Sequence, residues 1–269
     1  MILYEGRPIY RPLIWRMVDY IWGIFPALSA LLICVAAWQW AHNALGDLVM
    51  PAPKVVFLRV VSILSQVERA EVLGTLWRGF IAIGLALALG LCLGFIAGLH
   101  RTLALLCRPI ITLLLGMPPI IWVVLAIFWF GMGDVSVIFT VWVVVLPLVF
   151  AAAQMSLLSV PSALEEMLES YRVPLGRKLR YLYAPHLIRH ILPAVIVAVG
   201  SGLKVTIMAE LLGSGTGMGG AIGSARAMLD TVDVMAYVLI IIGVIMLVEY
   251  GILEPVRRYF VVENRYAKP

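Results

Sequence analysis

Long stretches without charged residues are the feature that most constrains the fold of this chain. Residues 20–46 contain no Asp, Glu, Lys or Arg, and residues 109–164 contain a single one, Asp134. A helix of about 20 apolar residues crosses a bilayer, and it satisfies its backbone hydrogen bonds internally. These stretches therefore predict helices that span a membrane.

The overall composition agrees with a lipid environment. Of the 269 residues, 63% are hydrophobic and 13% are charged, against about 45–50% and about 25% in soluble domains. The mean hydropathy is +1.03. A soluble core of this size could not cover so much apolar surface. We therefore predict an all-α, polytopic membrane protein.

The apolar stretches predict about six transmembrane helices. Their approximate limits are 20–41, 79–99, 105–130, 136–158, 188–212 and 233–254. Pro118 and Pro119 are expected to break or kink the third helix, because proline removes a backbone donor and clashes with the preceding turn. Residues 55–74 are predicted to form an interfacial helix on the outer surface.

The distribution of Lys and Arg predicts the orientation. Fourteen of the 20 Lys and Arg fall on the side that holds both termini and residues 165–190. Short loops rich in Lys and Arg face the cytoplasm, so both termini and this charged segment are predicted to be cytoplasmic. The net charge of +5 then reflects topology and an anionic inner leaflet. No nucleic-acid partner is predicted.

Nucleotide-binding, metal-binding and catalytic motifs are either missing from the sequence or lack the neighbouring elements that they require. The sequence has no G-x-x-x-x-G-K-[ST], so the chain has no P-loop of its own for ATP. "GTGMGG", residues 215–220, fits G-x-G-x-x-G but follows a membrane helix, so we predict a flexible, tightly turning outer loop. His186 and His190 have no third ligand nearby and are interpreted as interfacial polar residues. No catalytic residue and no metal site is predicted.

Two charges lie inside the predicted fifth span, Lys204 and Glu210. A charge at the centre of a spanning helix costs about 2.5–3.5 kcal/mol on insertion scales, so it faces a cavity or a partner. We predict a translocation pathway lined by Lys204, which would attract an anion, and by Glu210. A wet position of Glu210 near the outer interface stays open as an alternative. Residues 117–119 (Met117, Pro118, Pro119) mark a candidate constriction, with a purely structural kink as the alternative.

We interpret the charged segment 165–190 as a docking element. Ser162 and Glu165 have the spacing of a capping box, and Pro174 disfavours helix at the residue before it, which predicts a short helix at about 163–172. A basic helix at 175–183 would lie in the inner interface. Pro185 is predicted to break it before the fifth span.

Three segments carry a resemblance to a known family. "TLWRGFIAIGLALALGLCLGFIAGLHR", "GMPPIIWVVLAIFWFGMGD" and "AELLGSGTGMGGAIGSAR" resemble, in order and spacing, the permease subunits of binding-protein-dependent ABC importers of the nitrate/sulfonate/taurine group. The family's cytoplasmic loop carries E-A-A, then glycine, then Leu-Pro. Here only Glu166 and Pro185 match, and Arg172 stands at the glycine. That replacement is expected to remove a flexible hinge and to add a cation.

The resemblance implies a type I ABC importer permease fold and a set of partners. These are two ATP-hydrolysing subunits, which would carry the ATP and Mg, a second permease copy in a homodimer, and a soluble substrate-binding protein. The chain would bind no cofactor and act in the bacterial cytoplasmic membrane without enzymatic chemistry of its own. Its solute would be small and anionic, such as a sulfonate, taurine, nitrate or a related organic acid. An integral membrane enzyme and an ion-coupled carrier are the alternatives.

The resemblance also assigns roles to residues. The ATPase-coupling residues would be Ser162, Glu165, Glu166, Glu169, Ser170 and Arg172. The loops that meet the binding protein would include Gly215, Gly217 and Arg226. The predicted domains are an N-terminal segment with the first span and outer loop (1–70), a transporter domain with a coupling loop at about 160–187 (71–259), and a cytoplasmic tail (260–269).

Overall fold

A computed structural model describes residues 3–4, 7–8, 13–65 and 69–261. The chain divides into two compact units, Met1–Arg59 and Val60–Pro269. The predicted domain limits at 70 and 71 stay a prediction, and most of the predicted tail lies outside the described residues.

The first unit is dominated by one long helix. Two short strands, β1 (Leu3–Tyr4) and β2 (Arg7–Pro8), pair antiparallel, and helix α1 follows at Leu13–Leu45. After α1 the chain turns back on itself: Trp38 Nε1 donates to the carbonyl of Pro51 at 3.0 Å, and His42 Nδ1 lies 2.8 Å from the carbonyl oxygen of Met50. Helix α2 begins in this unit and spans Pro53–Ser65.

The second unit consists of helices. In chain order they are α3 (Arg69–Leu99), α4 (Arg101–Gly116), α5 (Pro119–Phe130), α6 (Asp134–Leu158), α7 (Ser162–Ser170), α8 (Leu175–Lys178), the π-helical turn π1 (Leu179–Tyr183), α9 (Ala184–Gly213), α10 (Gly217–Ala227), α11 (Thr231–Met246), the π-helical turn π2 (Leu247–Leu253) and α12 (Glu254–Val261). Together with α1, these helices confirm the all-α prediction.

The predicted spans are found, and one of them is sharply bent. Within the described residues, five helical stretches are long and apolar enough to cross a membrane, or six if α4 and α5 count as one. The α4–α5 pair bends by 98°. Met117 and Pro118 are both extended there, with ψ of 128° and 137°, because a residue before proline avoids the helical region. The predicted break at Pro118 and Pro119 is confirmed.

The break predicted at Pro185 is wrong. Residues Leu175–Gly213 form one continuous helical stretch, and the turn π1 precedes the proline. There Ala184 N–H donates to the carbonyl of Leu179, five residues back. The wider turn accommodates the ring, which would otherwise clash with a carbonyl four residues earlier. The turn π2 precedes Pro255 in the same way, and Glu254 N–H donates to the carbonyl of Glu249.

Helices α3, α6 and α9 form the core of the second unit. One cluster of their buried apolar residues consists of Ala82, Ile83, Ala86, Val141, Val145, Val149, Ala198, Leu203 and Val205. Three glycines at four-residue spacing, Gly90, Gly94 and Gly98, line the face of α3 that packs on α6. A Cβ on Gly94 would lie 2.6 Å from the carbonyl oxygen of Phe150. Small residues at this spacing allow membrane helices to approach closely.

Candidate functional site

The predicted coupling segment contains the short exposed helix α7. It spans Ser162–Ser170, against the expected 163–172, and Pro161 occupies the N-cap without a side-chain capping bond. The predicted capping box is therefore wrong. Pro161, with φ −65° and ψ 118°, supplies the extended N-cap conformation itself, which moves Ser162 to the first helical position. Glu165 is then free to bond elsewhere.

Helix α7 is fastened to the chain segment that leads into α9. Tyr183 Oη donates a hydrogen bond to the carboxylate of Glu165. Lys178 Nζ lies 3.4 Å from the carboxylate of Glu169. Before α7, Ser159 Oγ lies 3.0 Å from Nε2 of His186. A displacement of α7 would therefore be passed to the start of α9.

The other predicted coupling residues point outward. Ser162, Glu166, Ser170 and Arg172 are exposed. Large apolar side chains share this surface: Met167 is 47% and Tyr171 is 78% exposed. The helix therefore presents an apolar and acidic surface, which includes the 68% exposed side chain of Glu169, while Glu165 is half-buried and bonded to Tyr183.

Arg172 ends α7 in a backbone conformation that favours glycine. Its φ is +50°. Arg172 N–H donates to the carbonyl of Glu169 at 2.8 Å, and Val173 N–H donates to that of Leu168 at 3.0 Å. This is the bonding pattern of a Schellman cap, whose left-handed residue is most often glycine. The position that we interpreted as a hinge is a helix cap.

Replacing Arg172 by glycine is expected to stabilise the protein. A left-handed conformation costs a non-glycine residue about 1–2 kcal/mol, and the greater freedom of glycine in the unfolded chain offsets part of the gain. Thermal unfolding in detergent should show a higher Tm. The control Arg177→Gly removes the same charge from an exposed position inside α8 and should lower the Tm. Equal losses in both variants would contradict the assignment.

A buried polar cluster holds the N-terminus of α10. The first three N–H groups of α10 donate to side chains of α3 and α9: Gly217 to Glu71, Met218 to Thr75 Oγ1 at 2.8 Å, and Gly219 to Glu210 at 3.2 Å. Carboxylates are favourable at a helix N-terminus, where they satisfy free donors and complement the dipole. We call Glu71, Thr75, Arg78 and Glu210 the α10 clamp.

Glu210 is the centre of the clamp and is 0% exposed. Its carboxylate accepts from Thr75 Oγ1 at 2.6 Å and from Arg78 Nη1 at 2.8 Å. Arg78 also donates to Asp134 at 2.7 Å and to Thr216 at 2.9 Å. The alternative of a wet Glu210 is wrong, and the geometry favours a structural role for Glu210 over contact with solute.

The loop predicted at residues 215–220 is mostly helix. Gly215 and Gly217 have φ of +68° and +80° and form the turn into α10. Gly219 is packed tightly, since a Cβ there would lie 2.6 Å from Cβ of Glu210. The expectation of a flexible loop is therefore wrong from Gly217 onward. Gly215 and Arg226 are exposed, whereas Gly217 is buried.

Lys204 lies in a cleft of about 410 Å³ between α9 and the π2–α12 segment. Its Nζ lies 3.3 Å from a carboxylate oxygen of Glu249. A Cβ on Gly200 would lie 3.3 Å from the same oxygen, so this glycine makes room for the carboxylate. The cleft is lined by Ile196, Val197, Gly200, Ser201, Lys204, Glu249, Tyr250, Leu253, Glu254 and Arg257.

The structure does not bring the predicted pathway residues together in this cleft. Met117, Pro118 and Pro119 lie at the α4–α5 bend, and Glu210 lies in the clamp. The sequence reasoning missed Glu249 although a signal was present, because it is the only charged residue between positions 234 and 253. It also missed Glu71 and Thr75.

The two histidines of α9 are neighbours of each other. The rings of His186 and His190 stack with centroids 4.1 Å apart. Across the part of the chain that the structure describes, no group of three His, Cys, Asp or Glu residues is placed to hold a metal ion.

Comparison with known proteins identifies relatives across most of the chain. Residues 90–254 match the family model "Binding-protein-dependent transport system inner membrane component". The taurine transport system permease protein TauC of Escherichia coli K12 is 25% identical over 86% of this chain and 87% of its own. A protein of Methanocaldococcus jannaschii named as an ABC transporter permease is 33% identical over 66% of this chain and 67% of its own.

A further relative and two solved structures agree with this match. The protein of Bacillus subtilis named as the aliphatic sulfonates transport permease SsuC is 24% identical over 81% of this chain and 80% of its own. The inward-facing MetNI methionine ABC transporter has a TM-score of 0.55 at 19% identity, over 69% of this chain and 92% of that chain. An amino acid ABC transporter structure also gives 0.55, at 16% identity, over 73% and 92%. These two structures support the fold.

Proposed function

This chain belongs to the family of binding-protein-dependent transport system inner membrane components and is a multi-pass permease subunit of an ABC importer, and from that premise we propose its energy source, its partners and its solute. Separate subunits hydrolyse ATP and move α7. The solute crosses beside Lys204, and a soluble binding protein delivers it. A second copy of the permease completes the pathway.

The observation that carries the proposal is the way α7 is held. Its outer surface, with Glu166, is exposed, while Glu165 and Glu169 bond to Tyr183 and Lys178. An ATPase that binds the exposed surface and displaces α7 therefore also moves the start of α9, the helix that carries Lys204. The sequence contains no P-loop, so the nucleotide and its Mg belong to the partner.

The solute is proposed to be a small organic molecule with an anionic group. Two of the relatives are named for taurine and for aliphatic sulfonates, and Lys204 offers an accessible cation in the cleft. The binding protein is proposed to approach the end of the bundle near α10, where Gly215 and Arg226 are exposed. In this orientation α7 and both termini face the cytoplasm of a bacterial cell.

Co-purification tests the proposal. The chain should be expressed with the ATPase and binding protein encoded beside it, then purified through a tag on the permease. We expect a P-loop subunit to be retained, and ATP hydrolysis to rise when liganded binding protein is added. A permease that retains no ATPase, or that takes up solute without ATP, would refute it and favour an ion-coupled carrier.

Reversing the charge of Glu166 should release the ATPase. Glu166→Lys places a cation on the exposed surface of α7, where we propose that an ATPase groove binds. Reversing a charge at an interface sets like charges against each other, which costs several kcal/mol. The co-purified ATPase should fall at least about tenfold, which corresponds to about 1.4 kcal/mol. Membrane insertion should be unchanged.

The control for this variant is Lys54→Glu, a charge reversal at an exposed residue of α2. We expect it to retain the ATPase. If Glu166→Lys retains the same amount of ATPase as Lys54→Glu and transports normally, then Glu166 is not at the interface.

A further inference from the structure

We propose that the cleft between α9 and the π2–α12 segment is a two-point site for a small zwitterion, in which Glu249 binds the cationic group of the solute and Lys204 binds its anionic group. This inference rests on the proposed function, because it names the solute class of the proposed pathway. It adds to the anionic group of that solute a cationic group that the site also requires.

The charges of the cleft are balanced, which does not suit a simple anion. Its charged residues are two cations, Lys204 and Arg257, and two acids, Glu249 and Glu254. Each cation lies within 4 Å of an acid: Lys204 is 3.3 Å from Glu249, and Arg257 is 3.8 Å from Glu254. An anion bound to Lys204 would sit against the carboxylate of Glu249, and like charges in such proximity cost several kcal/mol.

The Lys204–Glu249 pair is accessible. The side chains are 59% and 40% exposed, and Lys204 has three donors, of which one is directed at Glu249. Charges within a spanning segment are retained where they face a cavity or a partner. The two charges therefore neutralise each other, and a zwitterion can separate them by offering each residue a new partner of opposite sign.

The walls of the cleft provide space and further polar groups next to this pair. Gly200 leaves the carboxylate of Glu249 uncovered. Ser201 Oγ donates to the carbonyl of Val197 at 2.8 Å, so its lone pairs are available to a cationic donor. Tyr250 is 67% exposed and lines the opposite wall. A small amino acid or aminosulfonate would contact α9 and π2 together.

The position of Glu249 on π2 makes the site sensitive to movement. Its backbone carbonyl accepts from Glu254 N–H across the wide turn, and such π-turns occur frequently at functional sites. Lys204 lies on α9, the helix that begins beside the Tyr183–Glu165 contact. A movement of α9 along π2 would therefore change the distance between the two charges and release a solute that needs both.

Site-directed labelling in the full complex, with its ATPase subunits, tests the inference. Ser201→Cys is introduced after Cys34, Cys92 and Cys107 have been replaced by alanine, and the rate of maleimide labelling is measured. Taurine and β-alanine serve as zwitterions, ethanesulfonate lacks the ammonium group, and ethylamine lacks the anionic group. At ten times the Kd a bound solute should slow labelling about tenfold. Ser224→Cys, exposed on α10, is the control site.

We expect at least one of the two zwitterions to slow labelling of Ser201→Cys, and neither single-charge compound to slow it. None of the four compounds should change the labelling of Ser224→Cys. Glu249→Gln should abolish protection by the zwitterion and allow ethanesulfonate to protect. Val197→Cys is a second reporter in the same cleft if Ser201→Cys does not fold.

Two results would overturn the inference: equal protection by ethanesulfonate or ethylamine in the unmodified cleft, or no protection by any of the four compounds at either reporter. The proposed function is tested separately by the ATPase that co-purifies with the same variants. Labelling that no compound slows in a complex that retains its ATPase would reject the zwitterion site alone.

Discussion

Replacing Gly94 by leucine is expected to prevent folded protein from accumulating in the membrane. A Cβ at this position would lie 2.6 Å from the carbonyl oxygen of Phe150 and 2.7 Å from Cβ of Ala153. Both are parts of α6 that cannot rotate away, so α3 and α6 would have to separate along their contact. Overpacking a core usually costs about 1–3 kcal/mol, and a whole leucine side chain against backbone should exceed that range.

The matched control is Gly84→Leu in the same helix. A Cβ on Gly84 meets no atom within 4 Å, so the added side chain is accommodated and gains a better helix former. Membrane fractions should contain Gly84→Leu at the level of the unchanged protein, with a single symmetric peak in size-exclusion chromatography. If Gly94→Leu behaves in the same way, then α3 and α6 do not pack as described.

The membrane-spanning architecture could be predicted from the sequence because hydropathy reports directly on lipid-exposed helices. The bend at Pro118 was also predictable, since two consecutive prolines cannot both continue a helix. The single Pro185 was misjudged because one proline can be absorbed by a π-turn. Whether a wide turn forms depends on the neighbouring packing, which the local sequence does not encode.

Some residues of the candidate sites could be predicted from the local sequence pattern, and others could not. Glu249 stands alone in a long apolar run, and the spacing of Gly90, Gly94 and Gly98 indicates a close helix contact. For the clamp, the sequence indicates only the residues on α3. Glu71, Thr75 and Arg78 share one helical face, but Glu210 and the start of α10, which they bind, lie more than 130 residues away in the chain. Nothing in the local pattern selects Glu210 or the start of α10.

Arg172 shows a further limit of sequence reasoning. The end of α7 was predicted from Pro174 two positions later, which restricts the residue before it. The left-handed cap at Arg172 was not, because arginine carries no preference for that conformation. Glycine at this position in the family pattern was the available clue, and we interpreted it as a hinge.

The second large effect is expected at Glu210. In Glu210→Gln the amide has one acceptor and one donor group, whereas the native carboxylate accepts on both sides: from Arg78 Nη1 on one, and from Thr75 Oγ1 and Gly219 N–H on the other. If the amide oxygen faces Arg78, then its NH₂ group meets the Gly219 N–H. In the flipped orientation the NH₂ group meets the guanidinium. Either way a buried donor is left without an acceptor.

Breaking a buried ion pair costs about 3–5 kcal/mol, so Glu210→Gln should lower the Tm strongly and expose α10 to protease. Asp134→Asn makes the same chemical change at the other partner of Arg78, but there the carboxylate is 61% exposed and the expected loss is below about 1 kcal/mol. Arg78 keeps its bonds to Glu210 and Thr216 in that variant, so α10 should stay protected. Equal losses of Tm in the two variants, or an unchanged protease pattern in Glu210→Gln, would mean that the clamp does not hold α10. A large difference between them would show that burial, rather than the charge of Arg78 alone, determines how firmly α10 is held against α3 and α9.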